Sequence, residues 1–201
     1  MLLRTACPIC RRPGAVPCAG CRSQLRPAPT DGPVPAIVAY EGVGRELLAR
    51  LKYRDARQAI RPLADALAAR AAGTPVEVVT WIPTTDRRRR ERGFDQAELL
   101  ARAVARRLGR PCQRLLRRIG DDHQTGRTRS ERLMGPSFVA VGTTPRYILL
   151  IDDVVTTGAT MRAAAVVLTT AGAVRVESWA AAATPSGLNK WPQRADTHTY
   201  E

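Results

Sequence analysis

Two adjacent carboxylates, Asp152 and Asp153, follow an apolar run from Tyr147 to Ile151 and precede Val154-Val155 and then Thr156-Thr157-Gly158-Ala159-Thr160. A continuous apolar run bounded by polar residues reads as a buried parallel strand. The carboxylates then lie at the carboxyl end of that strand, the edge at which open α/β sheets bind ligands. Carboxylates accept hydrogen bonds from sugar hydroxyls. The small, hydroxyl-bearing residues after them let the backbone close around an anion, with the first N–H groups of the next helix pointing at it. Diol recognition beside phosphate recognition describes a site for a ribose 5-phosphate.

Paired acids also occur in solvated turns, and Thr-Gly also caps ordinary helices. Those readings account for the pieces but not for their order. The order (apolar run, Asp-Asp, two apolar residues, Thr-Thr-Gly-x-Thr) resembles the phosphoribosyl pyrophosphate signature of type I phosphoribosyltransferases. On that resemblance, residues 152–160 bind the ligand, with Asp152 and Asp153 on the ribose hydroxyls.

A second polar segment runs Pro83-Thr84-Thr85-Asp86-Arg87-Arg88-Arg89-Arg90-Glu91-Arg92-Gly93 between a predicted strand and a predicted helix, and so lies at the same sheet edge. Guanidinium groups pair with phosphate oxygens in a fork, which makes Arg87, Arg88 and Arg92 candidates for holding a diphosphate. A solvated basic loop is the competing reading. Gly93, just before a helix cap, suggests close backbone approach. A third segment, residues 121–132, is polar and non-periodic. As a lid it would bring Arg127 or Arg129 onto the ligand and exclude water. His123 in that loop is a general acid or base, or a bystander without a visible partner.

Cys7-Pro-Ile-Cys10 and Cys18-Ala-Gly-Cys21 form two C-x-x-C knuckles. Four thiolates presented in pairs close a tetrahedral zinc site with no open position, hence a structural one. Disulfides fit poorly with a chain whose start, MLLRTACPIC, is too short in apolar residues for an export signal. Cys112 is left over and suits buried packing.

Around these segments the pattern alternates strands and helices. Strands are expected at 36–40, 76–82, 137–141, 147–151 and 174–180. Helices are expected with apolar faces Leu47/Leu48/Leu51, Ile60/Leu63/Ala64/Leu67/Ala71 and Ala97/Leu100/Ala101/Val104/Leu108, and over residues 158–172. Asp95, with Glu98 three residues on, reads as a capping box. Such alternation implies a mostly parallel α/β sheet flanked by helices. The expected organisation is a zinc module (1–25), a Pro-rich linker (26–35), a phosphoribosyltransferase-like domain (36–184) and a C-terminal tail (185–201). No apolar window reaches the length of a membrane span, and a cytoplasmic location is expected.

Lys and Arg total 32 against 18 Asp and Glu, a formal net charge of +14. That excess points to polyanionic partners. Aromatic residues make up only 4%, so the ring-stacking platform of many single-strand binders is missing.

Together, the paired knuckles, Tyr40-Glu-Gly-Val-Gly-Arg-Glu-Leu-Leu-Ala-Arg-Leu-Lys-Tyr53, Arg92-Gly-Phe-Asp-Gln-Ala-Glu-Leu-Leu-Ala101, Gln124-Thr-Gly126 and the Asp-Asp loop resemble the ComF family, competence-associated proteins with a phosphoribosyltransferase domain. Asp95 departs from the Asn usual there, Arg127 from an apolar residue, and Gly135 from Asn. The resemblance implies binding of phosphoribosyl pyrophosphate with Mg²⁺ and transfer of its phosphoribosyl group to an acceptor that no segment identifies. It also implies links to single-stranded DNA and the DNA-uptake machinery. The alternative it leaves open is a DNA-binding accessory protein of natural transformation that retains the ligand site without turnover.

Overall fold

The computed structural model describes residues 6–51, 57–119 and 137–185. Their elements are α1 (Ala19–Arg22), β1 (Ala36–Ala39), α2 (Gly42–Arg50), α3 (Arg57–Ala71), β2 (Val78–Trp81), α4 (Asp86–Arg92) and α5 (Gln96–Leu108), then β3 (Leu116–Ile119), β4 (Ser137–Ala140), β5 (Tyr147–Val155), α6 (Ala159–Thr170) and β6 (Arg175–Ala183). Four strands form a sheet in the order β1-β6-β5-β2, every pair parallel. β3 and β4 form a separate antiparallel pair. The parallel sheet flanked by helices, with a small cysteine module in front, is the architecture expected from the sequence.

The continuous apolar run of β5 hides a period of two. Leu149 and Ile151 join Val79 and Trp81 on one face, against Leu63 and Leu67 of α3 and Leu100 and Val104 of α5. Ile148 and Leu150 join Val78 on the other, against Met161, Ala164 and Leu168 of α6 and Phe138 of β4. Each face is therefore sealed by helices, which is why the strand carries no polar alternation. Ile148 to Ile151 are at most 1% exposed, and burying each such side chain contributes about 1.5–3 kcal/mol. β6 ends in four fully buried alanines, Ala180 to Ala183.

Several segments differ from the sequence expectation: β5 runs past Ile151 through both carboxylates to Val155, and β4 stands outside the parallel sheet, paired with β3. Residues 86–92 are a helix, not a loop. Thr85 caps its start by accepting from the Arg88 N–H, and Gly93 ends it at φ 75°, ψ 0°. Gly93 is thus needed for a left-handed helix end rather than for close approach. Residues 26–28, expected as linker, lie antiparallel against β1, with Ala28 N donating to Ile37 O (3.2 Å) and Ala39 N to Arg26 O (2.9 Å). Farther along, Pro33 and Val34 are buried. The outer edge of β2 is covered in the same way. Val79 N donates to Pro111 O (2.9 Å) and Gln113 N to Val79 O (3.0 Å), which places half-buried Cys112 beside Val79.

Candidate functional site

Parallel strands bring their carboxyl ends to one edge. The chain leaves β5 for α6 on one face of the sheet and leaves β2 for α4 and α5 on the other. Neighbouring strands whose connections diverge to opposite faces open a crevice between them. Ladder pairing of β2 with β5 runs from Val78↔Ile148 to Trp81↔Ile151. Ile82 N makes one further bond to Ile151 O (3.0 Å). The next N–H on that side of the strand, that of Thr84, goes to Asp95 Oδ2 (2.9 Å) instead of to β5. The sheet parts there, immediately beside Asp152 and Asp153.

The crevice holds a cavity of about 360 Å³ with Asp152, Asp153 and Thr160 on one wall and Arg88, Arg92, Asp95 and Gln96 on the opposite one. Tyr40, just past β1, and Arg118 of β3 also line it.

The acidic wall is locally organised. Asp153 N donates to Asp152 Oδ1 (2.8 Å), and Val154 N donates to Asp153 Oδ1 (2.8 Å). Burial, and after it the neighbouring Asp153 charge, hold the Asp152 carboxyl well above its ordinary 3.8. A cationic or hydroxyl-bearing ligand would relieve that penalty. Val155 turns into the core beneath. Thr156, Thr157 and Ala159 are exposed. Gly158 takes φ 71° and starts α6 without a side-chain cap, so no cap side chain takes up the first-turn amides, which form the positive end of the helix. A Cβ at Gly158 would stand 3.0 Å from Pro33 Cβ. The segment expected as a linker therefore braces the loop from behind.

The opposite wall is assembled by the corner between α4 and α5. Asp95 is 5% exposed. Its carboxylate accepts from Ala97 N (3.0 Å), Glu98 N (3.4 Å) and Thr84 N (2.9 Å). It therefore caps α5 and also ties down the segment leaving β2. Burial raises its pKa, the Thr84 and Glu98 amides oppose that, and the Glu98 and Asp153 charges add to it. The reciprocal half of the expected capping box is replaced: Glu98 Oε1 pairs along the helix with Arg102 Nη2 (2.8 Å). Arg92 Nη1 donates to Gln96 Oε1 (3.2 Å). Arg87 instead pairs with Glu91 (2.8 Å) on the outside of α4 and is not among the cavity-lining residues. Arg127, Arg129 and His123 lie outside the described residues.

Of the residues that the sequence marks, Asp152, Asp153, Val154, Thr160, Arg88 and Arg92 converge on the cavity. Gln96, Arg118 and Tyr40 join them without having been marked. Gln96 carries a signal, since it follows the Asp95 cap directly and is polar where the helix buries its first turn. Arg118 carries none, being one arginine of an arginine pair in a short strand.

At the amino terminus, the sulfur atoms of Cys7, Cys10, Cys18 and Cys21 all lie within 4.8 Å of one another. Cys10 and Cys18 Sγ are 3.5 Å apart. Thiolates at about 2.3 Å from a tetrahedral ion stand roughly 3.8 Å apart, so the four sulfurs fit a metal. Burial and the neighbouring sulfurs push Cys21 up to about 12. Desolvation acts the same way on Cys7, but amide donors from Cys18, Cys10 and Ile9 outweigh it and bring that thiol down to about 6. Such crowding favours a cation that takes up the charge.

Among known proteins, the chain is similar to competence protein ComFC of Bacillus subtilis (strain 168), 30% identical over 170 residues that cover 79% of this chain and 69% of that one. It is also similar to DNA utilization protein YhgH of Escherichia coli (strain K12), 28% identical over 193 residues covering 88% and 83%. No family model matches it. Among solved structures it resembles glutamine phosphoribosylpyrophosphate amidotransferase from B. subtilis, with TM-score 0.47 and 21% identity over 62% of this chain and 26% of that one. It spans about a quarter of that amidotransferase. It also resembles hypoxanthine phosphoribosyltransferase from Trypanosoma cruzi, with TM-score 0.42 and 13% identity over 76% and 75%. Among the described residues, no helix is long and apolar enough to cross a membrane.

Proposed function

The chain belongs to the ComF family, and from that membership we propose that its cleft binds phosphoribosyl pyrophosphate and transfers the phosphoribosyl group to an acceptor nucleophile. The observation that carries this reading is the convergence on one cavity of two carboxylates, a glycine-started helix and two arginines from the facing wall. Asp152 and Asp153 accept from the vicinal ribose hydroxyls. The α6 amides and the Thr156, Thr157 and Thr160 hydroxyls receive the 5-phosphate. Arg88 and Arg92 face the 1-diphosphate.

In the reaction, the bond from ribose C1 to diphosphate oxygen breaks and the diphosphate leaves with the electron pair. A new C1 bond forms to the acceptor, which gives up a proton. Positive charge develops on the ring, and the adjacent carboxylates of Asp152 and Asp153 stabilise it electrostatically. Mg²⁺ bound with the diphosphate would neutralise charge on the leaving oxygens. At the amino terminus the four cysteines hold a structural Zn²⁺, expected at one ion per chain by elemental analysis and lost in Cys7→Ser with Cys21→Ser.

A second reading rests on the exposed, outward arginines of α4, Arg87, Arg89 and Arg90, and on the net charge of +14. The relatives are named for competence and for DNA utilization. Such a surface suits the backbone of a single strand, with the cleft as a retained ligand site.

The decisive test is calorimetric titration with phosphoribosyl pyrophosphate and Mg²⁺, beside Asp152→Asn with Asp153→Asn. Hydrogen bonds to charged groups contribute about 1.5–3 kcal/mol each, so the double variant should bind roughly a hundredfold more weakly or worse. Equal binding by both proteins would remove the carboxylates from the site. Pyrophosphate release in the presence of acceptor then separates transfer from binding alone.

A further inference from the structure

Gly158 is buried, while Thr156, Thr157 and Ala159 around it are exposed. The atoms that cover it come from far away in the chain. A Cβ at Gly158 would stand 3.0 Å from Pro33 Cβ and 3.5 Å from Val34 Cγ2. The loop's own side chains do little to fix its shape. Gly158 starts α6 with no side-chain cap, and the Thr157 hydroxyl accepts from Ala159 N at a long 3.4 Å. A glycine by itself populates both signs of φ with similar ease, so the value of 71° needs support from outside the loop.

The segment that supplies it is stiff and anchored at both ends. Pro27, Pro29, Pro33 and Pro35 lock four of its φ angles, and each restricts the residue before it. One end pairs with β1 through Arg26 O and Ala28 N, and at the other Pro35 O accepts from Ala180 N of β6 (3.0 Å). Between them Val34 is 1% exposed, in the apolar cluster that also holds Val155 and Met161. Those two residues flank the ligand loop.

We propose that Pro33 is a positioning residue for the sugar phosphate: with Val34 it keeps Gly158 in the left-handed conformation that aims the first α6 amides at the 5-phosphate. The proposal rests on the ribose 5-phosphate part of the reading above. Neither Pro33 nor Val34 is among the cavity-lining residues, so they act through Gly158 and not on the ligand. A proline also suits this place chemically, because it brings no N–H to compete for the anion. The packed contact removes alternative loop conformations before the ligand arrives. Less ordering is left for the binding step, and the support is read as affinity. The arginines of α4 and the first turn of α5 stand on the other wall, so the effect is confined to ligands that carry a 5-phosphate.

The test is calorimetry on the full chain with its metal and three probes: ribose 5-phosphate, phosphoribosyl pyrophosphate with Mg²⁺, and inorganic pyrophosphate with Mg²⁺. Pro33→Gly removes the contacting Cβ, and Pro33→Ala keeps it. Pro33→Gly should bind both sugar phosphates about tenfold more weakly and inorganic pyrophosphate as before. Pro33→Ala should recover most of that loss. In the empty protein, hydrogen–deuterium exchange of residues 156–161 should quicken in Pro33→Gly while β5 keeps its protection, and should slow again when ribose 5-phosphate binds. Unchanged sugar-phosphate affinity and unchanged exchange in Pro33→Gly would overturn the proposal and leave the parent reading standing. Equal losses for all three probes, with a lower Tm, would show that the segment serves the fold alone and would overturn it as well. Failure of the unaltered protein to bind either sugar phosphate would overturn both.

Discussion

The two walls of the cleft are built in opposite ways. The wall of Asp152, Asp153 and the Gly158 helix start is one stretch of nine residues, positioned by a strand end and the turn that follows it. The facing wall gathers Arg88 and Arg92 from α4, Gln96 from α5, Arg118 from β3 and Tyr40 from beyond β1. Its geometry depends on Asp95 fastening two segments at once and on Gly93 ending α4. A local wall keeps its shape as long as its strand is formed and the brace behind its loop holds. An assembled wall can be retuned one residue at a time, because no single backbone segment carries it. The local wall is therefore suited to the constant part of a ligand, and the assembled wall to the part that decides identity.

That contrast fails if damage to the local loop proves mild. Gly158→Ala combines a left-handed φ, which costs an L-residue about 1–2 kcal/mol, with a Cβ 3.0 Å from Pro33. Denaturant unfolding should show about 2 kcal/mol of lost stability. Affinity for ribose 5-phosphate should fall by tenfold or more as the amides turn away. A variant matching the unaltered protein in both would mean that the loop is not preorganised.

The facing wall should respond more selectively. Arg88→Gln is expected to weaken phosphoribosyl pyrophosphate binding by about tenfold and to leave ribose 5-phosphate nearly unaffected. Replacing Arg87, Arg89 and Arg90 together, on the outside of the same helix, should leave both small ligands alone. If the outer face holds single-stranded DNA, the triple replacement should lower the slope of log affinity against log salt by about 0.7 for each phosphate no longer neutralised. A triple variant without small-ligand binding would show that α4 has no such division of faces.

The same contrast explains how much of the molecule is legible in its sequence. The four strands of the parallel sheet, the long helices and the acidic loop come through because each is a local pattern: an apolar run, a 3–4 periodicity, a motif of fixed order. Residues 86–92 read as a loop because five arginines in a seven-residue span carry no apolar face. The signals that make them helical, the Thr85 cap and the Gly93 exit, are each present but short-range and weak. The brace of Pro33 against Gly158 and the entry of Arg118 into the cavity bring together residues far apart in the chain, and a single sequence holds no record of such pairings. Proline-rich composition suggests a spacer, yet the extended backbone it enforces is also what lets residues 26–28 lie along β1.

The smallest effect is the most diagnostic of the acidic wall. Burial and the Asp153 charge raise the Asp152 pKa well above 3.8 in the folded chain. A raised folded-state value means that the native protein holds the proton more tightly than the unfolded chain does. The resulting stabilisation is complete below the unfolded pKa and is lost as pH rises through the folded one. Asp152→Asn cannot ionise, so its stability should gain on that of the unaltered protein over the same rise in pH, even as ligand binding is lost. Binding of phosphoribosyl pyrophosphate with Mg²⁺ requires the ionised carboxylate, so affinity in the unaltered protein should increase with pH across that window. A proton should pass to the buffer on binding, seen as a calorimetric enthalpy that depends on the buffer's own ionisation heat. Asp153→Asn relieves the like-charge contribution and should shift the window to lower pH. An affinity that is flat with pH, with no proton released, would mean that Asp152 is already ionised in the empty cleft and that the acidic wall is open to water rather than desolvated.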